Sequence, residues 1–335
     1  MRSIARVTQF RVPLVVIPCL NEAAHLRGLV EHMHRAAARH GGHVVIVDGG
    51  STDGSVGIAT DLAHTYPRVR SMHNPARLQS AGINAAVRKF GAGHTDLIRI
   101  DAHARYPSDY IDVLLAEAAE TGAGAVTVGM IAEGQGPLQH LAAATQNTKL
   151  GNGGSAHRAR GTGTWVEHGH HALIRLPAFA VVGGYDETFA HNEDAEFDHR
   201  LRRAGYGIWQ TGKTVIGYYP RDGVAALAKQ YFNYGRGRAR NLRKHRTRPR
   251  LRQTAMIAVA PAMAMALFSP LSLVAALPAA VWAAAILTAA LALALAARSP
   301  KLIWSAPLAA IMHACWSAGF WTAMFRPKHQ MGQTL

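Results

Sequence analysis

The chain has 335 residues, 49% of them hydrophobic, and 36 Lys and Arg against 20 Asp and Glu, giving a net charge of +16 with histidine neutral. That length holds one large domain or two smaller ones. The two cysteines, Cys19 and Cys315, stand in unlike apolar runs with no reason to pair, which excludes a disulfide framework and fits a reducing compartment.

Arg2, Arg6 and Arg11 precede an apolar run, Val12 to Leu20, that is short and broken by Pro13 and Pro18. It suits a first strand over Val12 to Ile17 better than a signal peptide. Glu22 to Ala38 predicts a helix with Leu26, Leu29, Val30 and Met33 along one face. Val44 to Val47 reads as a buried strand ending on Asp48. A small-residue turn follows, then a helix from Ser55 to about His64, with Asp53 as its cap. Val69 to Met72 predicts a third strand and Leu78 to Phe90 a helix. Asp96 to Ile100 makes a fourth strand ending at Asp101, and Pro107 opens a helix through Tyr110 to Ala119. This alternation predicts an α/β fold with a doubly wound, mainly parallel sheet.

In such sheets ligands bind beyond the carboxyl ends of the strands. A single Asp after a strand is ordinary turn chemistry. Here the arrangement recurs at Asn21-Glu22, Asp48 and Asp101, which points to a site. Further on, 151–163 is rich in Gly, Ser and Arg and reads as a mobile loop over that site. Thr164 to Ile174 is strand-like, Gly183 to Glu187 a turn, and Glu193 to Ala204 a helix. Its first turn holds Glu193, Asp194 and Glu196, three acids that the helix dipole favours by itself.

The near-zero mean hydropathy hides two unlike parts. Gln253 to Ala297 and Leu302 to Phe325 carry no charged residue. A span takes ~20 apolar residues, so the first run has room for two helices, turning between Ser269 and Pro278, and the second for one. Nine Lys and Arg with no acid crowd Arg236 to Arg252, beside the first apolar run. Positive-inside orientation and anionic headgroups account for that cluster more simply than nucleic acid does. No aromatic residue interleaves it after Tyr234, which also argues against a single-strand groove. It places the head in the cytoplasm. Arg298 and Lys301 agree with that orientation, whereas Arg326 and Lys328 do not. The expected organisation is a cytoplasmic catalytic domain over 1–220, an amphipathic basic segment over 221–252, a membrane region of about three helices over 253–325, and a tail.

Two motifs lack the context they need. Gly207 to Thr214 spells G-x-x-x-x-G-K-T, but a helix precedes it, Ile208 and Trp209 fill the loop, and Val215 to Tyr218 continues as strand. Gly161 to Val166 begins like a dinucleotide fingerprint, with Val166 in place of the third glycine. His168, His170 and His171 are candidate metal ligands, although nineteen histidines make chance crowding the simpler explanation.

Acids and one Arg at the carboxyl edge of a sheet suit a nucleotide diphosphate. A carboxylate meets base or ribose, Arg77 at a helix start meets phosphate, and Asp101 with His103 faces a divalent ion. Asp194 is then a separate acid, available as a general base.

These motifs stand in an order that resembles the family-2 inverting glycosyltransferases of GT-A fold. They are Pro18-x-x-Asn21-Glu22, Val47 to Gly54, Arg77 to Asn84, Asp101-x-His103, Gly183-Gly184-x-Asp186-Glu187 and Glu193-Asp194. Asp101 to Pro107, Gly169 to Ala172 and Tyr234 to Arg238 are similar to the bacterial glucosyltransferases of succinoglycan assembly. The resemblance implies donor contacts from Pro18, Asn21, Glu22, Asp48, Asp53, Arg77, Asn84 and Asp101. It implies a divalent cation (Mn2+ or Mg2+) on Asp101 and His103, with His in the second position favouring manganese. Asp194 is the implied base and Glu193 its neighbour, and Gly183, Gly184, Tyr185, Asp186 and Arg236 are implied on the acceptor side. The implied partners are a UDP-sugar, with glucose first among the sugars, a lipid-linked saccharide acceptor and the bacterial inner membrane, with no nucleic acid. Gln230 opens the segment where processive synthases carry Gln-x-x-Arg-Trp, but Asn233-Tyr234 replaces Arg-Trp. A polyprenyl phosphate acceptor, and a nucleotide-sugar-binding regulator without turnover, are the alternatives.

Overall fold

A computed structural model describes residues 10–152 and 163–326. The chain forms two compact units, one of residues 10–130, 163–187 and 193–216, the other of 131–152, 188–192 and 217–326. Most of the loop expected over 151–163, and with it the first residues of the fingerprint-like Gly161 motif, lies outside the described residues.

The first unit opens with β1 (Pro13–Cys19), α1 (Ala23–Ala38), β2 (His43–Asp48), α2 (Ser55–Thr65), β3 (Val69–His73), α3 (Gln79–Phe90) and β4 (Asp96–Arg99). There follow β5 (Ala104–Arg105), α4 (Tyr110–Thr121) and β6 (Ala125–Ala132), whose last residues belong to the second unit. In the second unit come α5 (Pro137–Gln146) and α6 (Lys149–Asn152). Back in the first are β7 (Thr164–Val166), β8 (His170–Arg175), α7 (Leu176–Val181), α8 (Glu193–Arg203) and most of β9 (Ile208–Tyr218).

The described strands make one nine-stranded sheet in the order β3-β2-β1-β4-β8-β6-β9-β5, with β7 beside β9. β1 pairs in parallel with β2 and β4, and β2 with β3, while β8 runs antiparallel to β4 and β6. The register sets Cys19 opposite Asp48 and Val16 opposite Arg99, so the chain leaves β1, β2 and β4 at one edge. Strands buried on both faces read as continuous apolar runs. Leu14 to Ile17 and Val44 to Val47 are accordingly buried, and on one face Leu14, Val16, Val45 and Val47 pack with Ile83, Phe179, Phe197 and Leu201.

Two expectations change, and a third holds. The Thr164 to Ile174 strand is two, because the chain breaks at Glu167 to Gly169. Asp53 is not the cap of α2; Gly54, at φ +95°, holds that position, and Asp53 instead accepts from Ser55 N and Oγ at 3.1 and 2.6 Å. The G-x-x-x-x-G-K-T run is an extended strand, β9, as its flanks required.

The second unit continues with α9 (Val224–His245), α10 (Leu251–Ile257), α11 (Val259–Ala266), α12 (Leu277–Ala296) and α13 (Ser305–Phe325). Instead of about three candidate spans, two helical stretches are long and apolar enough to cross a bilayer among the described residues, Leu273–Ala296 and Pro300–Phe325. Prolines explain the difference. Pro261 sits inside the eight-residue α11 and Pro270 in the turn after it, where each removes a backbone donor and disfavours helix before it. Helix α9, in the segment expected to be amphipathic, buries Leu227, Tyr231, Gly235, Gly237, Ala239 and Asn241.

Candidate active site

The loops after β1 and β2 are stitched to each other. Asn21 N donates to Ser51 Oγ at 2.8 Å, Thr52 N to Asn21 Oδ1 at 2.8 Å, Glu22 N to Ser55 Oγ at 2.9 Å, and Ala23 N to Asp53 Oδ2 at 3.0 Å. Asn21 and Asp53 thus shape the rim. Pro18, half-buried near the end of β1, leads into it. Asp48 accepts from Gly50 N at 2.8 Å and Ser51 N at 3.1 Å, turn chemistry that also fixes its carboxylate at the strand end. Arg77, at φ +55°, lays its guanidinium over Gly50. A Cβ there would meet Arg77 Nη2 at 3.2 Å, and the φ of +90° already favours glycine.

Beyond β4, Tyr106 Oη takes the Asp101 N–H at 2.7 Å and donates to Asp101 O at 3.2 Å, fixing the Asp101-Ala102-His103 turn from below. Gln79 Nε2 donates to Asp101 Oδ1 at 3.0 Å. His103 Nδ1 lies 3.1 Å from Glu22 Oε1, and His170 Nε2 lies 3.6 Å from Asp101 Oδ2.

Two rows of charge converge on Asp194. On one side stands Arg99, whose side chain is 6% exposed. It pairs closely with Asp194 and lies 3.4 Å from Glu193 Oε1 and 3.6 Å from Asp101 Oδ1. Its Nε is buried without a hydrogen-bond partner. On the other side His171, fully buried, places Nδ1 3.3 Å from Asp194 Oδ1 and 2.6 Å from Tyr185 Oη. Its Nε2 is 2.7 Å from Asp198 Oδ1, and Asp198 Oδ2 is 2.7 Å from His168 Nδ1. Of the histidine cluster, His168 and His171 therefore converge on Asp198.

This packing separates the acids. Burial by itself would raise Asp194, but Arg99, then His171 and His170, hold it well below the usual carboxylate range. Glu193 is pushed up to about 7, first by burial and then by Asp194 beside it. Burial opposes charge on His171 too, yet Asp198, with Tyr185 and Asp194, keeps it well above the ordinary imidazole range. Burial takes His170 the other way, to about 4. Burial by itself would raise Asp101, but Arg99, His170 and His103 together hold it below the usual carboxylate range. The two neighbouring carboxyls are thus driven apart, Asp194 down and Glu193 up.

Asn84 does not face this edge. Its amide bonds Tyr185 O at 2.8 Å and Glu187 Oε1 at 2.9 Å and accepts from Tyr185 N at 2.9 Å. It anchors the Gly183 to Glu187 turn, and a Cβ on Gly184 would meet Asn84 Oδ1 at 2.6 Å. Gly184 and Tyr185, expected on the acceptor side, are buried, while Asp186 is half-buried and Gly183 exposed. Arg236 belongs to α9 in the second unit. Sequence reasoning gave no role to Arg99, Gln79 or Asp198. One signal was available for Arg99: an arginine inside the apolar strand Asp96 to Ile100 has to find buried partners.

The donor set also suits a divalent ion. Asp101 is ionised, and the Glu22 carboxylate orients the His103 imidazole as carboxylates orient metal-binding histidines. No group of three or more His, Cys, Asp or Glu is placed to hold a metal among the described residues. Two protein donors fit an ion completed by phosphate oxygens and water rather than a closed cage.

A parallel-centred sheet with Asp101-x-His103 at its carboxyl edge, and a helix opening on Glu193-Asp194 beside it, is the arrangement of a GT-A glycosyltransferase. The glycosyl transferase family 2 profile matches residues 14–183, and the chain belongs to that family. It is 52% identical over 308 residues to the succinoglycan biosynthesis protein ExoA of Rhizobium meliloti, covering 92% of this chain and 93% of that one. Polyprenol monophosphomannose synthase of Mycolicibacterium smegmatis is 34% identical over 116 residues, 33% of this chain and 42% of that one. In fold, the chain is similar to the mannosyltransferase PcManGT of Pyrobaculum calidifontis, solved with GDP-Man and Mn2+. There the TM-score is 0.61 at 19% identity, over 95% of this chain and 88% of that one. GalNAc-T7, solved with UDP, GalNAc and Mn2+, gives a TM-score of 0.53 at 14% identity, over 76% and 51%.

Proposed function

We propose that this glycosyltransferase moves a hexosyl group, glucose first among the candidates, from a UDP-sugar to a hydroxyl of a lipid-linked saccharide during exopolysaccharide assembly, with inversion. The observation that carries the reading is Asp194, ionised and held between Arg99 and His171 beside Asp101. As the acceptor oxygen forms its bond to the anomeric carbon, Asp194 takes the hydroxyl proton. The bond from that carbon to the diphosphate breaks, and UDP leaves with the electron pair. Positioned general bases contribute about 10²–10⁴ in rate. Asp48, Glu22 and the loops stitched through Asn21 and Asp53 hold the nucleoside, and Arg77 meets the diphosphate. Gly183 and Asp186 stand towards the acceptor. Asp101 and His103 would hold a divalent cation, manganese before magnesium, which when bound neutralises charge on the leaving diphosphate.

The full-length homology to a succinoglycan biosynthesis protein supports the exopolysaccharide setting. The two long apolar helices and the Arg236 to Arg252 cluster support attachment at the cytoplasmic face of the inner membrane. The partial match to a polyprenol monophosphomannose synthase favours a second reading, transfer to a polyprenyl phosphate.

The test offers purified protein radiolabelled UDP-glucose, other UDP- and GDP-sugars and bacterial lipid extract, with and without chelator. Label moving from UDP-glucose into a mild-acid-labile lipid saccharide supports the first reading. Label on a bare polyprenyl phosphate supports the second. Asp194→Asn should bind donor and lose transfer, and transfer at the parent rate would refute the assignment of the base.

A further inference from the structure

The two long apolar helices have opposite surroundings. No residue of α13 from Leu308 to Ser317 is exposed. Helix α9 runs beside it in parallel over nearly its full length. Leu227 and Tyr231 pack with Leu308 and Met312, and Ala239 with Phe320 and Ala323. Arg243 Nη1 donates to Ala323 O at 2.8 Å and Arg326 O at 3.0 Å. Between these ends the backbones nearly touch, since a Cβ on Gly235 would come 1.9 Å from Trp316 O and one on Gly319 2.0 Å from Phe232 O. The other flank of α9 is committed to 188–192: Arg240 donates to Thr188 O at 2.5 Å and stacks 4.5 Å from the Phe189 centroid. If α13 crossed hydrocarbon, α9 would carry Arg236, Arg238, Arg240, Arg243 and Lys244 in with it, and intramembrane cations are expensive.

Helix α12 and the turn before it show the reverse. Leu271 and Leu273 are 85% and 83% exposed, and Leu267, Phe268, Val274, Leu277 and Val281 also face outward. Both feet of this stretch rest on α13. At the entry, Ala260 N donates to Ser317 Oγ at 3.0 Å, and Trp321 Nε1 to Ile257 O at 2.9 Å. At the return, Ile286 and Ala290 pack on Ala306 and Ala309. The arm from entry to tip includes only the eight residues of α11, about 12 Å of rise against a hydrocarbon core of about 30 Å. Exposed cations flank it in sequence, Arg246, Arg248, Arg250 and Arg252 before, Arg298 and Lys301 after.

We propose that 258–297 is a re-entrant hairpin that enters and leaves one leaflet of an anionic bilayer by the same face. Its tip is 267–277, and α13 is the internal strut on which it stands rather than a span. Apolar side chains at the tip take up acyl chains, and the flanking arginines and Lys301 take up lipid phosphate. The proposal rests on the membrane attachment argued above and not on the sugar chemistry.

The experiment uses full-length chain in membrane vesicles, with Cys19→Ala and Cys315→Ala removing the native thiols. Single cysteines enter as Arg250→Cys, Lys301→Cys and Leu271→Cys, with Arg248→Cys and Arg298→Cys as a second pair should the first reduce membrane-bound protein. An impermeant maleimide is applied to right-side-out and inverted vesicles. The expected result is that positions 250 and 301 label from the same side, and that 271 labels from neither until detergent is added. Labelling of 250 and 301 from opposite sides would show that α12 crosses the bilayer and overturn the proposal. Aqueous labelling at 271 overturns it as well. Recovery of the chain as soluble protein overturns both the hairpin and the attachment it rests on. Because no donor or acceptor is present, a failed transfer assay leaves this result standing.

Discussion

Replacing Arg99 by methionine removes the cation that faces three acids while keeping most of the side-chain volume. Its side chain is 6% exposed, and Asp194, Glu193 and Asp101 all lie within 3.6 Å of it. Breaking a buried pair from one side costs about 3–5 kcal/mol, because the partner charges stay behind unpaired. For a unit of this size, where each kcal/mol shifts Tm by roughly 2–4 °C, the loss is roughly 6–20 °C. The pH dependence follows from Asp194, which Arg99 holds well below its ordinary range. A depressed carboxylate contributes stability above its unfolded pKa of about 4 and gives it up as pH falls through the folded value. The deficit of Arg99→Met is therefore greatest at neutral pH and narrows in acid. A base whose pKa has risen loses its ionised form sooner, so the acidic limb of transfer moves upward. Calorimetry from pH 8 down to well below about pH 4 and the pH profile of UDP release measure both effects, with Arg99→Lys falling between variant and parent. A melting point within a degree or two of the parent, with an overlaid pH profile, would refute the claim that Arg99 governs this acid cluster.

Asp198→Asn takes the principal counter-charge from His171. A raised histidine contributes stability that is fully present below its unfolded pKa of about 6.5 and lost as pH rises through the folded value, so this variant's deficit should be largest in acid. A deficit that grows with pH in denaturant titrations would contradict it. Gly235→Ala sets a methyl 1.9 Å from Trp316 O and must part α9 from α13, costing about 1–3 kcal/mol; an unchanged unfolding midpoint in detergent would show that the crossing is loose. Chelation should abolish transfer and weaken UDP binding, and manganese should restore both. Titration calorimetry with UDP checks this, and equal affinity with and without metal counts against a cation on Asp101 and His103.

Much of the sheet could be read in the chain because its determinants are local. The runs Leu14 to Ile17 and Val44 to Val47 are apolar because both faces are covered, and strand-edge acids mark where ligands meet such sheets. The roles of single polar groups were less legible. Asn84 belongs to a motif whose members look alike in sequence, yet its amide is consumed by a turn about a hundred residues away. Tyr185 likewise turns inward to His171. Apolar length could not say how α12 and α13 are surrounded, since a helix with few exposed side chains and one that faces outward share one composition.

By itself the sequence determined the order of strands and helices, the acids at the strand ends, the family motifs and the separation of a polar head from an apolar tail. Each of these depends on neighbours within a few residues. Tertiary structure alone decided that Arg99, His171 and Asp198 set the charge on Asp194, and that Leu308 to Ser317 of α13 is covered while 267–277 faces outward. Those outcomes depend on groups far apart in the chain, whose mutual fields and packing exist only once folding has brought them within a few ångströms.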